Sequence, residues 1–203
     1  YTIQKDGLPA KGMVCLAYDA ENLYLRYTLS GIRWVNGGNE WRALFKTGDC
    51  VDFQCSPAAN RRTAPAPGDF RVLIAPFKGE NAVVLMRQVE ERKAFDPAES
   101  YKYSSPVMDV RFDTVRLLRE AQACVQKIKD GVRVEAALPW KALGITSPTQ
   151  GTRLTGDAGF IVADQAGRAN SARVYYYNEK TNLVNDQGGE ARISPEEFGE
   201  IAF

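Results

Sequence analysis

Apolar and polar residues alternate with a period of two along much of this chain. In residues 22–30, four apolar side chains occupy one set of alternate positions, and Tyr24, Arg26 and Thr28 occupy the other. This alternation is typical of a half-buried β-strand. The same pattern, or a short apolar run, predicts strands over residues 12–18, 22–30, 49–56, 69–76, 81–88, 132–138, 157–163 and 172–177.

The segments between these strands have the composition of turns and loops. Residues 19–21 and 77–80 are short enough to close hairpins, and Asp130-Gly131 is a strong hairpin turn. The stretch from Pro139 to Gly144 predicts one helical turn, with Trp140 in the core. Residues 1–11, 31–47, 57–68 and 89–105 are predicted as irregular, whereas 107–118 and 121–129 fit either a strand or a helix. The sequence therefore predicts an all-β chain folded as an antiparallel β-sandwich with one or two short helical turns.

Length and charge narrow the class of protein. The chain has 203 residues, 44% of them hydrophobic, and we expect a single domain over 1–203. No apolar run is long enough to cross a bilayer, so membrane insertion is not expected. The net charge is +1 with both signs interspersed, which argues against nucleic acid as a partner. The chain begins at Tyr1, and we interpret it as a processed product or a domain of a larger secreted protein.

The sequence contains no histidine. This excludes Ser-His-Asp and Cys-His nucleophile activation within the chain, and it excludes metal sites built on imidazole. The chemistry that remains possible is carboxylate catalysis, calcium binding by oxygen ligands, and recognition of a ligand by aromatic, amide and guanidinium groups. The four cysteines have no CxxC spacing and allow three disulfide pairings, but we expect them to be small buried residues.

Side chains of the types that bind ligands, such as Asp, Asn, Arg and Tyr, are concentrated between residues 156 and 203. Two predicted strands there are followed by a loop rich in Asn and Asp, of the kind that often carries binding groups. Such residues also cluster in turns for conformational reasons alone. Elsewhere, Trp34 and Trp41 in the loop 31–47 are either ligand platforms or a cover for the core. Arg71, inside an apolar strand, needs a partner, for which Asp52 is a candidate.

The segments AYDAENLYLRYTLS, GDCVDFQC, DFRVLIA, VRVEAALPWKALG, GDAGFIVADQAGRANSARVYYYN and EEFGEIAF follow one another in an order that resembles the family-nine carbohydrate-binding modules and their DOMON-like relatives. The resemblance covers nearly the whole chain. It implies a jelly-roll-like sandwich, structural calcium and no catalysis. It also implies a secreted or periplasmic setting, a polysaccharide or oligosaccharide ligand, and an adjoining catalytic domain in the same chain.

The resemblance also suggests site residues, with one departure. In the family, two aromatic rings clamp a sugar. Where the first ring, a tryptophan, is expected, this chain has Phe45-Lys46, and where the second is expected, residues 182–186 contain no aromatic residue. Trp41 and Tyr177 are therefore expected to provide the stacking surface. The predicted ligand-binding residues are Trp41, Asp52, Arg71, Arg173, Tyr177, Asn182 and Asn185, and the predicted calcium ligands are Asp157, Asp164, Asp186 and Glu190.

Three other functions are consistent with some residues. A DOMON-like haem-binding electron-transfer domain would need methionine ligands, for which Met13, Met86 and Met108 are available. A two-carboxylate hydrolase has only Glu135 as a candidate, on the polar face of its strand. An architectural accessory domain without a ligand is the third alternative.

Overall fold

The computed structural model describes residues 1–181 and 186–202, and every structural statement below refers to these residues. They form fourteen strands and a few short helices. In chain order, strands β1 to β14 are Thr2–Gln4, Lys11–Tyr18, Asn22–Ser30, Cys50–Ser56, Phe70–Phe77, Glu80–Arg87, Tyr101–Ser104, Asp109–Phe112, Thr114–Leu117, Gln122–Ile128, Gly131–Pro139, Arg153–Ala163, Asn170–Tyr175 and Gly199–Ala202. Helices α1 to α3 are Leu44–Thr47, Trp140–Leu143 and Gln187–Ala191, with 3₁₀ turns at Trp41–Ala43 and Pro195–Glu197.

Two sheets form the sandwich, and the strands in both pair antiparallel. The five-stranded sheet has the order β1-β2-β3-β11-β10, and the larger sheet has the order β13-β12-β4-β5-β6-β9, with β14 added beside part of β12. β7 and β8 pair as a separate hairpin. This architecture confirms the predicted all-β antiparallel sandwich.

The main core lies between the two sheets. It contains residues from alternate positions of both layers, such as Leu25 and Tyr27 from one and Phe53 and Phe160 from the other. The sheets approach closely at Gly12, where an added Cβ would lie 2.8 Å from the Phe160 ring. A side chain at that position would force the layers apart, so the glycine permits the packing.

The outer face of the seven-stranded sheet is also covered, by a third layer. α1, α3 and the β7–β8 hairpin pack over it, and a second apolar cluster that includes Phe45, Met86 and Tyr103 fills the space beneath them. As a result, all seven residues of β4 are buried. Polar side chains on this face of β4 and β5 therefore lie inside the protein.

Local pattern predicted the hairpins correctly, whereas several elements in segments predicted as irregular were missed. The hairpins β2–β3, β5–β6 and β10–β11 are present, as is the helical turn α2, capped by Gly144 in the left-handed conformation. The predicted loops 31–47 and 89–105 contain α1 and β7, and residues 1–11 contain β1. Residues 107–118 and 121–129 prove to form β8, β9 and β10 rather than helices.

The expectation for the cysteines is correct for two of them and wrong for the other two. Cys50 and Cys55 are buried, and burial raises the pKa of both thiols. Cys15 and Cys124 are exposed because they occupy outward positions of β2 and β10 on the five-stranded sheet. All four are free thiols.

No helix among the residues described reaches the length and apolar character that crossing a bilayer requires.

Candidate functional site

Asp52 and Arg71 form an ion pair in the interior. Arg71 Nη2 lies 2.6 Å from Asp52 Oδ2, and Arg71 Nε lies 3.1 Å from both carboxylate oxygens. Both side chains have an exposed fraction of 0%. Arg71 Nη1 donates to the carbonyl oxygens of Glu190 and Ala191 at the end of α3. Burial opposes the charge on Arg71, but Asp52 outweighs it and raises the pKa of the guanidinium.

The predicted partnership of these two residues is thus confirmed, but their position differs from the one expected for ligand contact. The third layer covers both, so a bound sugar would not reach them. Asp52 and Arg71 instead lie beneath the residues that line the site.

A chain of polar groups leads from this pair towards the surface at β13. The Tyr175 hydroxyl donates to Asp52, and Arg173 Nη2 donates to the Tyr175 hydroxyl at 2.9 Å. Arg173 Nη1 lies 3.2 Å from Glu190 Oε2. Lys46 also pairs with Glu190, at 2.6 Å. Burial opposes the charge on Glu190, but its polar neighbours, Lys46 foremost, outweigh that effect and lower its pKa.

Arg173 stands where this network meets two depressions. A cavity of about 70 Å³, lined by residues that include Gln54, Asp157 and Asn178, lies on one side. A more open depression of about 410 Å³, between β13 and the segment from Gln4 to Asp6, lies on the other. Arg173 lines both, and its buried Nε has no hydrogen-bond partner among the described residues. An unused buried donor is uncommon, and it can be satisfied by water or by a ligand oxygen.

Asp157 fixes the chain where it leaves β13. Its carboxylate accepts the backbone N–H groups of Ala158, Tyr177 and Asn178 at 2.8–2.9 Å. Burial nevertheless dominates and raises the pKa of Asp157 to about 6. These contacts hold the Asn178 side chain at the boundary of both depressions.

Three tyrosines cluster just beyond the end of β13. The Tyr1 and Tyr176 rings meet edge to face at 4.7 Å, as do those of Tyr176 and Tyr177. Tyr1 and Tyr176 are 45% and 37% exposed. The Tyr177 ring instead packs against Gly199, and its hydroxyl donates to the Glu200 carbonyl. Tyr177 therefore supports the cluster, and Tyr1 and Tyr176 present its open surface.

The structure does not bring Trp41 to this place. Trp41 lines a groove beside Val115 and Leu117 of β9, at the edge of the sheet opposite β13. Five strand spacings of about 4.8 Å separate β9 from β13, and Trp41 and Arg173 line different depressions. The Arg42 guanidinium also covers the Trp41 ring at 4.2 Å. Trp34, the other candidate platform, packs against the main core and donates to Asn81.

Asn182 and Asn185, the two predicted loop amides, lie outside the described residues.

The four predicted calcium ligands have separate roles. Asp157 binds backbone N–H groups, Asp164 caps the turn before β13, Asp186 caps α3, and Glu190 pairs with two cations. Asp157 lies in the middle of β12 and Asp164 just after its last residue, seven residues or about 23 Å apart along an extended strand. No group of three or more acidic or cysteine side chains in the described ranges is arranged to hold a metal. These four residues therefore do not form one calcium site together, and calcium as a cofactor stays a prediction.

The residues behind the alternative functions are used elsewhere. Met86 is completely buried in the second apolar cluster, Met108 packs against the same cluster, and Met13 is exposed on the other sheet. Met13 therefore cannot share a haem with either of the other two methionines. Glu135 lies on the polar face of β11, as predicted, and pairs with Arg26.

Comparison with known proteins gives a fold. No protein-family model matches the sequence, and no curated protein matches it either. Among solved structures, a family-nine carbohydrate-binding module from Caldicellulosiruptor kristjanssonii in complex with cellotriose is similar over 98% of this chain and 80% of that one, with a TM-score of 0.59 and 17% identity. This chain has the fold of a family-nine carbohydrate-binding module. The structure of such a module from the same organism with glucose matches 96% of this chain and 77% of that one, with a TM-score of 0.56 and 17% identity.

Within this module fold, the sequence reasoning selected Arg173 but passed over Tyr1 and Tyr176. The run Tyr175-Tyr176-Tyr177 was a usable signal, because alternation along the strand places Tyr176 on the face opposite the buried Tyr175. The position of Tyr1 beside Tyr176 had no local signal, since it depends on β1 lying next to β13.

Proposed function

We propose that this chain is a non-catalytic module that binds a polysaccharide or oligosaccharide. The observation that carries the proposal is the shared fold over nearly the whole chain with a module solved in complex with cellotriose. The function follows from that likeness together with a suitable polar surface at β13, and not from sequence identity.

The ligand would occupy the depression of about 410 Å³ beside β13. A sugar presents hydroxyl oxygens to donors and a flat apolar face to aromatic rings, and sites of this volume accommodate small ligands. Arg173 and the Asn178 amide would provide the polar contacts. Tyr176 does not line the depression but is exposed two residues before Asn178, where it would extend the site with an aromatic surface.

Two features favour binding over catalysis. The carboxylates of the adjoining buried cavity already have partners: Glu190 pairs with Lys46 and Arg173, and Asp157 accepts three backbone N–H groups. The carboxylates that line the depression itself, Asp6 and Glu179, are exposed to solvent. The sequence has no histidine to act as a general base. By this proposal the module holds an adjoining catalytic domain of a secreted or periplasmic protein on its polysaccharide.

Calorimetric titration with cellotriose and glucose tests the proposal, and further neutral and acidic oligosaccharides extend the test. Asn178→Ala removes the amide but keeps the backbone contact with Asp157, and Tyr176→Ala removes an exposed ring. We expect each to weaken binding by roughly tenfold, equivalent to about 1.4 kcal/mol. Val107→Ala, at an exposed position in the β7–β8 hairpin turn, is the matched control and should bind normally. Folded protein that gives no heat with any oligosaccharide would refute the proposal.

A further inference from the structure

The outer face of the five-stranded sheet carries a cleft of about 630 Å³, which the site at β13 does not use. It crosses the four strands β2, β3, β11 and β10. It is larger than the depression beside β13, and its volume is within the range of small-molecule sites.

The strand register arranges the side chains of this cleft in rows. Cys15 pairs with Arg26, Arg26 with Glu135, and Glu135 with Cys124, so the four side chains form one row across the sheet. Three strand spacings make the row about 14 Å long. In its centre, Arg26 Nε lies 2.6 Å from Glu135 Oε1, and both side chains are about half exposed, at 59% and 45%.

The neighbouring row provides an aromatic ring above a floor of small residues. Tyr24 lies between Ala17 and Ala137, neither of which has a side chain beyond Cβ. The Tyr24 hydroxyl donates to Asp19 Oδ2 at 2.7 Å and accepts from the Asn22 amide, so both polar neighbours hold the ring. It remains 37% exposed. A ring already fixed in position loses little conformational entropy when a ligand stacks on it.

The charge of the lining indicates the kind of ligand. Arg26 and Glu135 are the charged residues in the cleft lining, and their charges cancel. An anionic or cationic ligand would therefore find no net opposite charge. A neutral ligand rich in hydroxyl groups can accept from the guanidinium and donate to the carboxylate side by side, since the two have complementary hydrogen-bonding roles.

We propose that this cleft is a second carbohydrate site, which takes a neutral, linear oligosaccharide. The sugar chain runs across the strands between Cys15 and Cys124, the Arg26–Glu135 pair binds its hydroxyls, and Tyr24, in the neighbouring row, packs against one of its rings. The inference rests on the proposed carbohydrate function and extends it to another face of the protein.

The cysteines allow this site to be tested separately from the site at β13. Cys15 and Cys124 are exposed at the two ends of the row, whereas Cys50 and Cys55 are buried with raised thiol pKa values. A thiol reagent should therefore label two cysteines in the folded protein and the other two only after unfolding. Cellotetraose or xylotetraose is added at about ten times the dissociation constant of the sugar, so that about one protein molecule in eleven is free of it. Labelling of both exposed cysteines should then slow by about tenfold.

Two variants and a control make the result specific. Tyr24→Ala, and separately the double change Arg26→Gln with Glu135→Gln, should remove the protection by sugar, and Val107→Ala should retain it. Each variant must still leave Cys50 and Cys55 unlabelled without denaturant, which shows that it is folded.

The other outcomes are equally decisive. Heat from sugar binding with unchanged labelling of Cys15 and Cys124 would leave the proposed function intact and refute the cleft. Neither heat nor protection with any oligosaccharide would refute both. Protection that rises with protein concentration and not with sugar would show that a second copy of the chain covers this face, and it would also overturn the assignment.

Discussion

Replacing Arg71 with methionine probes the interior of the module most directly. The substitution removes three hydrogen-bonding contacts to Asp52 and two to the carbonyl oxygens at the end of α3. Methionine fills much of the same volume, so the main change is electrostatic. Asp52 keeps its contact with the Tyr175 hydroxyl but loses the charge that balances it.

The size of the effect follows from burial. Both members of the pair have an exposed fraction of 0%, so water cannot solvate the remaining carboxylate. Removing one partner of a buried ion pair typically costs about 3–5 kcal/mol, and whole domains have unfolding free energies of about 5–15 kcal/mol. We therefore expect Arg71→Met to lower the unfolding free energy by about 4 kcal/mol at neutral pH. Urea unfolding followed by tryptophan fluorescence measures it.

Two comparisons isolate the cause. The double variant Asp52→Asn with Arg71→Met removes the uncompensated charge as well, so it should be more stable than Arg71→Met alone. Arg26→Met breaks an exposed pair of the same type on the other sheet and should cost less than about 1 kcal/mol. If Arg71→Met costs as little as Arg26→Met, or if the double variant is the less stable one, the reasoning from burial is wrong.

Three further predictions concern single residues. The Asp157 carboxyl should titrate near pH 6 in an NMR titration, and a midpoint at or below 3.8 would contradict this prediction. Because the folded-state pKa is raised from 3.8, the contribution of this carboxyl to the unfolding free energy is fully present below about pH 4 and is lost as the pH rises through 6. Gly144→Ala places a Cβ 2.6 Å from Arg87 Nη2 at a φ of +64°, so it should lower the unfolding free energy by at least about 1–2 kcal/mol in urea unfolding, and an unchanged midpoint would refute the strain. Phe160→Ala removes a completely buried ring opposite Gly12 and should cost about 3–5 kcal/mol in the same assay, where a loss below about 1 kcal/mol would show that the two sheets close over the gap.

Local pattern was sufficient for the parts of this fold that local physics determines. β3 alternates strictly, β2 is a short apolar run, and a short turn joins them, so both their existence and their pairing could be predicted. In the structure, exposed and buried positions alternate along β2 and place Cys15 outward, between the inward-facing Val14 and the partly buried Leu16. The continuous apolar run from Met13 to Ala17 does not show which of its residues face outward, and for that reason this cysteine was expected to be buried.

The third layer could not be predicted in the same way. Its signal is the run from Phe70 to Ala75, where β5 is buried on both faces and the alternation disappears. The sequence shows that such a strand is covered twice but not which segments cover it. For that reason the loop that carries Trp41 was expected near Arg173, whereas it packs near β9.

The covering layer also explains why the site at β13 has its particular form. α3 lies over the sheet, and its last carbonyl oxygens accept two hydrogen bonds from Arg71. Glu190 accepts two from Arg173, one at its carboxylate and one at its carbonyl oxygen. This arrangement fixes the Arg173 guanidinium from two sides and leaves its Nε unpartnered among the described residues. A binding group held by strands and a buried ion network is more rigid than one carried on a loop. The charged residues that the sequence suggested for sugar contact thus divide by depth: Asp52 and Arg71 are completely covered, whereas Arg173 lines two depressions.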